Sequence, residues 1–416
     1  MNEKKYLTKE NIEFSLADLK QLTFEITDAC NLRCKYCGYG EFYDDYDKRE
    51  DKMINTQASL RLIDYLSSYW NSERNISLNK NVYISFYGGE PLINMKFIKT
   101  VIDYIKNLNC SCRNFTFSMT TNAILLKKYM DYLVENQFSL LISLDGNEYN
   151  TSYRVDKTGK PAFHEIIENV DALQKKYPDY FKEKVNFNAV LHNRNSVEEI
   201  FQFIKEKYNK VPSIGELNST GIRPDKKTLY METYRNSYES LHQSENYELI
   251  EKEMFLQAPD YNFLTIFIHQ YSGFVYRDYS DLLFDKSSVK KIPTGTCPPF
   301  GKKMFVTVNG KILPCEKIGH KYALGEVTEK GVNMDLQAIA DKYNAYYAKM
   351  NNQCSKCYRV KSCTQCIFNI DDLDEKAICY GYTNKQEFSE YYERNMDFLR
   401  EHPEDYYRIM EEVFFE

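Results

Sequence analysis

Cys30, Cys34 and Cys37 lie in the run Thr27–Gly40, TDACNLRCKYCGYG, with the spacing C-x3-C-x2-C. Three thiolates on one tight loop can ligate three irons of a [4Fe–4S] cube. The fourth iron is then left without a protein ligand, and an open coordination position is where a metal site does chemistry. The alternatives are a zinc knuckle or a set of redox thiols. A structural zinc wants a fourth protein ligand, and the nearby sequence supplies no further Cys or His. A distant residue would have to fold in.

A second constellation lies late in the chain: Cys297, Cys315, Cys354, Cys357, Cys363, Cys366 and Cys379. Cys315 closes the stretch Gly310–Cys315, a G-x4-C hairpin pattern, and C-x2-C-x5-C-x2-C follows from Cys354 to Cys366. Two zinc sites built from the paired C-x2-C elements compete with iron–sulfur clusters for this pattern. Cys110 and Cys112 fall outside both groups and read as incidental or buried thiols.

The elements that must position these residues follow from hydrophobic patterning. Strands are expected at Leu22–Thr27, Val82–Tyr87, Phe115–Thr120, Ser139–Leu144, Lys184–Leu191 and Ser213–Asn218. Helices are expected between them, at Thr56–Ser72, Met95–Leu108, Lys127–Gln137, Phe163–Tyr177 and Val197–Tyr208, with apolar residues at helical spacing such as Ile98, Ile102 and Ile105. The alternation implies parallel strands with right-handed crossovers. The expected fold is α/β, a partial (β/α)6 barrel with ligands gathered at the C-terminal ends of its strands. Residues 1–222 would form this barrel and 223–296 a helical bridge. Residues 297–380 would form a small metal-organised module and 381–416 a helical tail interrupted near Pro403.

Polar motifs fall just after the expected strands. The second ends in Tyr87-Gly88-Gly89-Glu90-Pro91, where two glycines let the backbone pass close to a ligand and Pro91 stiffens the exit. The third ends at Thr120-Thr121-Asn122, and the fourth at Ser143-Leu144-Asp145-Gly146 with Arg154 downstream.

Together these motifs resemble the radical S-adenosylmethionine (SAM) enzymes, down to Tyr36 before the last loop cysteine. The resemblance implies that Cys30, Cys34 and Cys37 hold the SAM-binding cluster and that the backbone at Gly88, Gly89, Glu90 and Pro91 receives the SAM amino group. It implies further that Asn122, Ser143 and Asp145 lie near the ribose, that Arg154 meets the carboxylate, and that Val190 and Leu191 lie in the segment packed against adenine. A planar fork of donors suits a carboxylate. The implied chemistry is one-electron cleavage of SAM to a 5′-deoxyadenosyl radical, which removes a hydrogen atom from the substrate.

The late cysteines resemble the SPASM module, which carries auxiliary [4Fe–4S] clusters. That resemblance puts Cys354, Cys357, Cys363 and Cys379 on an outer cluster and Cys297, Cys315 and Cys366 on an inner one. The last internal gap is x2 where the family usually has x3, which bears on Cys366. Two cubes would use eight cysteines, and seven are present. The inner cube is then left with an open iron or a ligand of another kind.

The formal charge of −6 speaks against a nucleic-acid partner. The first residues lack the apolar core of a signal peptide, and no apolar run approaches the ~20 residues of a membrane span. A cytoplasmic enzyme is expected, whose cysteines bind metal instead of forming disulfides. The SPASM resemblance implies a peptide or protein substrate, with a ribosomally made precursor peptide the expected one and a thioether or other side-chain crosslink the expected product. It also implies an external electron donor of reductase or flavodoxin type. About twenty residues precede the first strand, too few for a leader-binding domain. A leader would be read by the bridge, by an edge strand or by a separate protein. Glu216 and Asn218 could face substrate or serve as turn residues. Two readings compete: sulfatase maturation by formylglycine formation, disfavoured by the absence of an eighth cysteine between Cys297 and Cys315, and a non-catalytic iron–sulfur electron carrier or regulator.

Overall fold

The computed structural model describes residues 6–75, 81–110, 113–271, 293–360, 363–370 and 373–413. It divides into two compact units. One comprises residues 10–254 and 298–336; the other comprises 1–9, 255–297 and 337–416.

The first unit is built on one sheet. Its parallel strands are β1 (Gln21–Thr27), β2 (Asn81–Gly88), β3 (Asn114–Thr121), β4 (Ser139–Ser143), β5 (Val185–Val190) and β6 (Ser213–Gly215), paired in chain order. Helices Thr56–Trp70, Met95–Lys106, Leu126–Glu135, Phe163–Lys176 and Val197–Tyr208 alternate with them. The expected boundaries agree to within about two residues, except that β6 stops three residues short of Asn218. Helix Thr56–Trp70 starts where the Asn55 side chain accepts the Ala58 N–H, and its buried face is Leu62, Ile63, Leu66 and Trp70.

The sheet is larger than the six strands expected. β7 (Lys303–Val306) pairs in parallel with β1, and β8 (Lys311–Leu313), β9 (Gly325–Thr328) and β10 (Gly331–Asn333) follow as an antiparallel meander. The full order is β10-β9-β8-β7-β1-β2-β3-β4-β5-β6. β1 therefore lies inside the sheet, buried on both faces, which explains its almost continuous burial from Leu22 to Thr27. Phe24 at its centre is fully buried and meets Phe97 edge-on, ring centres 5.7 Å apart.

Residues 224–254 of this unit are helical turns, Lys227–Thr233, Ser237–His242 and Tyr247–Met254 among them, as the pattern of the bridge implies. The second unit carries helix Pro259–Tyr271, most of helix Leu336–Cys354, and helices Lys385–Glu401 and Pro403–Glu412. Asn384 and Glu387 form a reciprocal cap at the start of Lys385–Glu401, and Pro403 occupies the first turn of the last helix, where its missing N–H is harmless. Among the described residues no helix is long and apolar enough to cross a membrane.

Phe24→Ala removes a fully buried ring between β7 and β2 and is expected to destabilise the first unit by roughly 3–5 kcal/mol. Chemical denaturation followed by circular dichroism checks this against a surface control such as Tyr83→Ala, where the ring is already exposed.

Candidate active site

The cysteine loop begins where β1 ends, and β2 holds it there. The N–H groups of Gly89 and Glu90 donate to the carbonyls of Thr27 (2.8 Å) and Ala29 (3.0 Å). A Cβ on Gly88, whose φ is +128°, would lie 2.1 Å from the Thr27 carbonyl oxygen, and one on Gly89 would lie 2.1 Å from that of Ala29. The two glycines thus admit the protein's own loop as their nearest neighbour. Glu90 turns inward and is fully buried. It accepts from Leu92 N–H (3.1 Å), Thr121 Oγ1 (2.8 Å) and Asn122 N–H (2.8 Å), tying the exit of β2 to that of β3. Burial pushes its carboxyl up to about 7 against the pull of these donors.

The three loop thiols sit together. Burial pushes Cys30 up to about 11 and Cys34 up to about 12, and each is raised further by the neighbouring thiols. Such thiols become thiolates when a metal compensates the charge. N–H donors face the sulfurs: Leu32 N–H (3.4 Å) and Asn122 Nδ2 (3.7 Å) on Cys30, and Arg49 Nη2 (3.6 Å) on Cys37. An all-sulfur donor set of three cysteines fits an iron–sulfur cube.

A cavity of about 580 Å³ opens over the loop at the C-terminal ends of the strands. Of the residues singled out in the sequence, Cys30, Cys34, Tyr36, Cys37, Gly88, Gly89, Glu90, Asn122, Ser143, Arg154 and Val190 line it. Three others lie outside its lining, which differs from their assignment to a cofactor. Pro91 is buried at the start of the turn Pro91–Asn94. Leu191 is fully buried, because neighbours along a strand face opposite sides and Val190 takes the cavity side. Asp145 is fully buried and organises the wall from behind.

Asp145 takes both prongs of Arg154, Nε at 2.9 Å and Nη2 at 2.8 Å, together with the Val190 N–H at 3.0 Å and the Tyr36 hydroxyl. Burial raises its carboxyl, but the Arg154 charge wins and holds it well below the usual carboxylate range. The arginine assigned to a cofactor carboxylate is therefore engaged, through two of its nitrogens, with the protein's own aspartate. Tyr36 carries this network to the cysteine loop, stacked on His192 with ring centres 5.3 Å apart.

The late cysteines divide between the two units. In one, Cys357 and Cys363 lie close enough to Cys354 and Cys379 to raise both, with burial the larger cause in each and Cys354 pushed up to about 11. Cys297 and Cys366 form a separate neighbourhood in the same unit. Ile367 N–H donates to Thr296 Oγ1 at 2.7 Å beside it. Cys315 belongs to the other unit, just past β8, with its sulfur 3.5 Å from the Glu316 carboxylate. Cys110 is half-buried outside both groups, and Cys112 lies outside the described residues. Glu216 accepts from Tyr234 and Ser237 and so braces a helix start, while the Asn218 carbonyl accepts the Tyr43 hydroxyl.

Sequence reasoning missed Arg49, Asn188 and Glu316, all of which line the cavity. Asn188 faces the cavity from β5, two residues before Val190, and its Oδ1 accepts from Ser143; alternation along the strand could have found it. Arg49 and Glu316 sit in irregular segments that offer no period to follow.

A sheet whose strand ends ring a three-thiol loop defines an iron–sulfur enzyme of the α/β class. Residues 24–206 match the family model of the radical SAM superfamily, and residues 297–367 match SPASM, an iron–sulfur cluster-binding domain. The chain carries a radical SAM domain and a SPASM domain; its cofactors are SAM and [4Fe–4S] clusters. It is 29% identical to a cysteine-type anaerobic sulfatase-maturating enzyme of Clostridium novyi over 46% of this chain and 49% of that protein. It is 24% identical to the enzyme of the same description from Clostridium perfringens strain 13 over 88% and 94%, and 29% identical to the radical SAM cyclopropyl synthase TigE of Paramaledivibacter caminithermalis over 42% and 35%. The chain spans about half the length of the first curated relatives it matches. Its fold is that of native anSMEcpe with bound AdoMet (TM-score 0.56, 18% identity, 94% of this chain and 99% of that one). It is also that of Streptococcus suis SuiB bound to precursor peptide SuiA (TM-score 0.54, 17% identity, 89% and 77%).

Gly89→Ala is expected to lower iron uptake at the loop severely, because the new methyl meets backbone and not a movable side chain; iron per chain after anaerobic reconstitution measures it. Glu90 gives a pH signature. Its folded pKa is raised, so its contribution to stability is complete below about 4.5 and is lost as pH climbs through about 7. Relative to Glu90→Gln, the wild type is expected to lose on the order of 3 kcal/mol across that window, read from melting curves of the two proteins at matched pH.

Proposed function

We propose that this chain is a peptide maturase: a radical SAM enzyme that installs a thioether or other side-chain crosslink in a ribosomally made precursor peptide. The observation that carries the site assignment is the convergence of Cys30, Cys34 and Cys37 under a cavity ringed by the ends of β1–β5. In this reading the three thiolates hold the SAM-binding cluster. When bound, SAM on the reduced cluster supplies abstraction of a substrate hydrogen atom.

The chain's own residues position and enclose. The Gly88–Glu90 backbone lines the cavity beside the loop, where it would receive an ammonium group. Ser143 and Asn188 offer hydroxyl and amide groups at the strand ends for a ribose. Val190 gives an apolar surface, and Arg154, backed by Asp145, holds positive charge at the wall. Cys354, Cys357, Cys363 and Cys379 hold one auxiliary cluster in this reading, and Cys297 and Cys366 belong to a second with one iron free for a substrate thiolate. A one-electron donor of reductase or flavodoxin type and a separate leader-binding protein complete the proposed partners, in the cytoplasm.

A peptide substrate is supported by the relatives named above: SuiB is described with its precursor peptide, and sulfatase maturases act on proteins. The second reading, formylglycine formation, is favoured by the near end-to-end similarity to the Clostridium perfringens enzyme. The cysteine count favours crosslinking, since seven late cysteines leave the second auxiliary site one short of a full set.

Anaerobic, reduced protein is expected to release 5′-deoxyadenosine from SAM, and Cys34→Ala to abolish this. Cys357→Ala is expected to retain part of the SAM cleavage and lose peptide modification; equal loss of both activities in both variants would assign the late cysteines to folding alone. Mass spectrometry of a Cys-containing peptide then separates the readings. Loss of two hydrogens with sulfur retained marks a crosslink, and loss of two hydrogens together with exchange of sulfur for oxygen marks formylglycine. A Cys-free peptide modified equally well would remove sulfur from the proposed bond.

A further inference from the structure

Arg49 sets a positive charge against Cys37, and among the described residues no carboxylate forms an ion pair with it. Its Nη2 donates to Cys37 Sγ at 3.6 Å, and the guanidinium rests on the Tyr39 ring, 4.4 Å from its centre. Its Nε is buried and has no hydrogen-bond partner among the described residues, and among these residues Arg49 forms no ion pair. The two acids that share the region are otherwise engaged. Asp28 accepts the backbone N–H groups of Glu50 (2.9 Å) and Lys52 (2.5 Å). Glu25 is buried, its carboxyl raised by that burial, and it accepts from Val308 N–H and the Tyr39 hydroxyl.

The placement is built into the start of the cysteine loop. Asp28 pins residues 50 and 52, Thr27 Oγ1 donates to the Lys52 carbonyl at 2.8 Å, and Ile54 N–H donates to the Ile26 carbonyl at 3.1 Å. The strand end that launches Cys30 therefore also fixes the segment that brings Arg49 back over Cys37. Loop and cation share one footing.

A cluster gains one negative charge when an external donor passes it an electron, and no bond or proton need change hands. An N–H donor on a ligand sulfur, and a cation beside it, favour the more negative state and raise the reduction potential. We infer that Arg49 is a positioning residue whose N–H bond to Cys37, with its positive charge, raises the potential of the cluster held by Cys30, Cys34 and Cys37. This rests on the site assignment proposed above. The effect matters because SAM cleavage needs the cluster reduced, and a higher potential lets a weaker reductant populate that state.

The test is an EPR-monitored redox titration of the full chain, loaded anaerobically with iron and sulfide and poised with dithionite. The signal followed is the one that changes when SAM is added. In Arg49→Gln the ratio of reduced to oxidised cluster at a fixed potential is expected to fall about tenfold, a shift of ~59 mV for one electron. Arg49→Lys, which keeps the charge and loses the fork, is expected to fall about threefold. Titrations of both variants that superimpose on the wild type would overturn the inference. So would an Arg49→Gln protein that takes up less iron while its loaded fraction titrates like wild type, because Arg49 would then serve only assembly. A wild-type protein with no SAM-responsive signal would refute the site assignment itself and is distinguishable from both.

Discussion

The site depends on the backbone contact between two strand exits. Gly89 and Glu90 donate to the carbonyls of Thr27 and Ala29, and this contact is available only because neither Gly88 nor Gly89 carries a Cβ. It brings the end of β2 against the first residues of the cysteine loop. From that junction the wall extends in one direction through Glu90 to Thr121 and Asn122, whose amide reaches back to Asn31 and Cys30. It extends in the other through Asp28 and Thr27 to the segment of Arg49. These polar ties add to the packing of Leu32 and Tyr36, which are buried within the loop.

Behind the wall, Asp145 has the opposite character to Glu90. Both carboxyls are fully buried. Glu90 receives only neutral donors and its carboxyl rises toward neutrality, whereas Asp145 faces the Arg154 charge and stays ionised. A buried ion pair of this kind adds little net stability, but removing one partner is costly. That asymmetry makes it a stiff support for Tyr36 and the loop, and it keeps a cation at the cavity wall without leaving it unpaired.

The fold and the cysteine loop were legible in the sequence because they rest on local signals. The six parallel strands are short apolar runs separated by helices of clear period, such as Ile98, Ile102 and Ile105, and parallel strands buried on both faces read this way. What was hidden depends on contacts far apart in the chain. β7 is a four-residue strand whose partner β1 lies some 280 residues away, and nothing in KMFV states that partner. Arg154 was visible as a cation placed after a strand, but its bidentate partner was not, since spacing alone does not say which carboxylate a fork meets. Leu191 was assigned with Val190 because adjacent residues look alike in sequence; the pleat sends them to opposite faces. The thiol sets of the late region were drawn from a family pattern, and the structure groups Cys354, Cys357, Cys363 and Cys379 in one neighbourhood and Cys297 with Cys366 in another.

The account turns on an iron at the first loop that has no protein ligand and is free to take SAM. Mössbauer spectroscopy of oxygen-free protein loaded with 57Fe, recorded before and after adding SAM, addresses that iron directly. The account predicts that one iron site of one cluster changes its isomer shift on SAM addition, and that the change is absent from Cys34→Ala. Identical spectra before and after SAM, or zinc in place of iron at that loop, would contradict it.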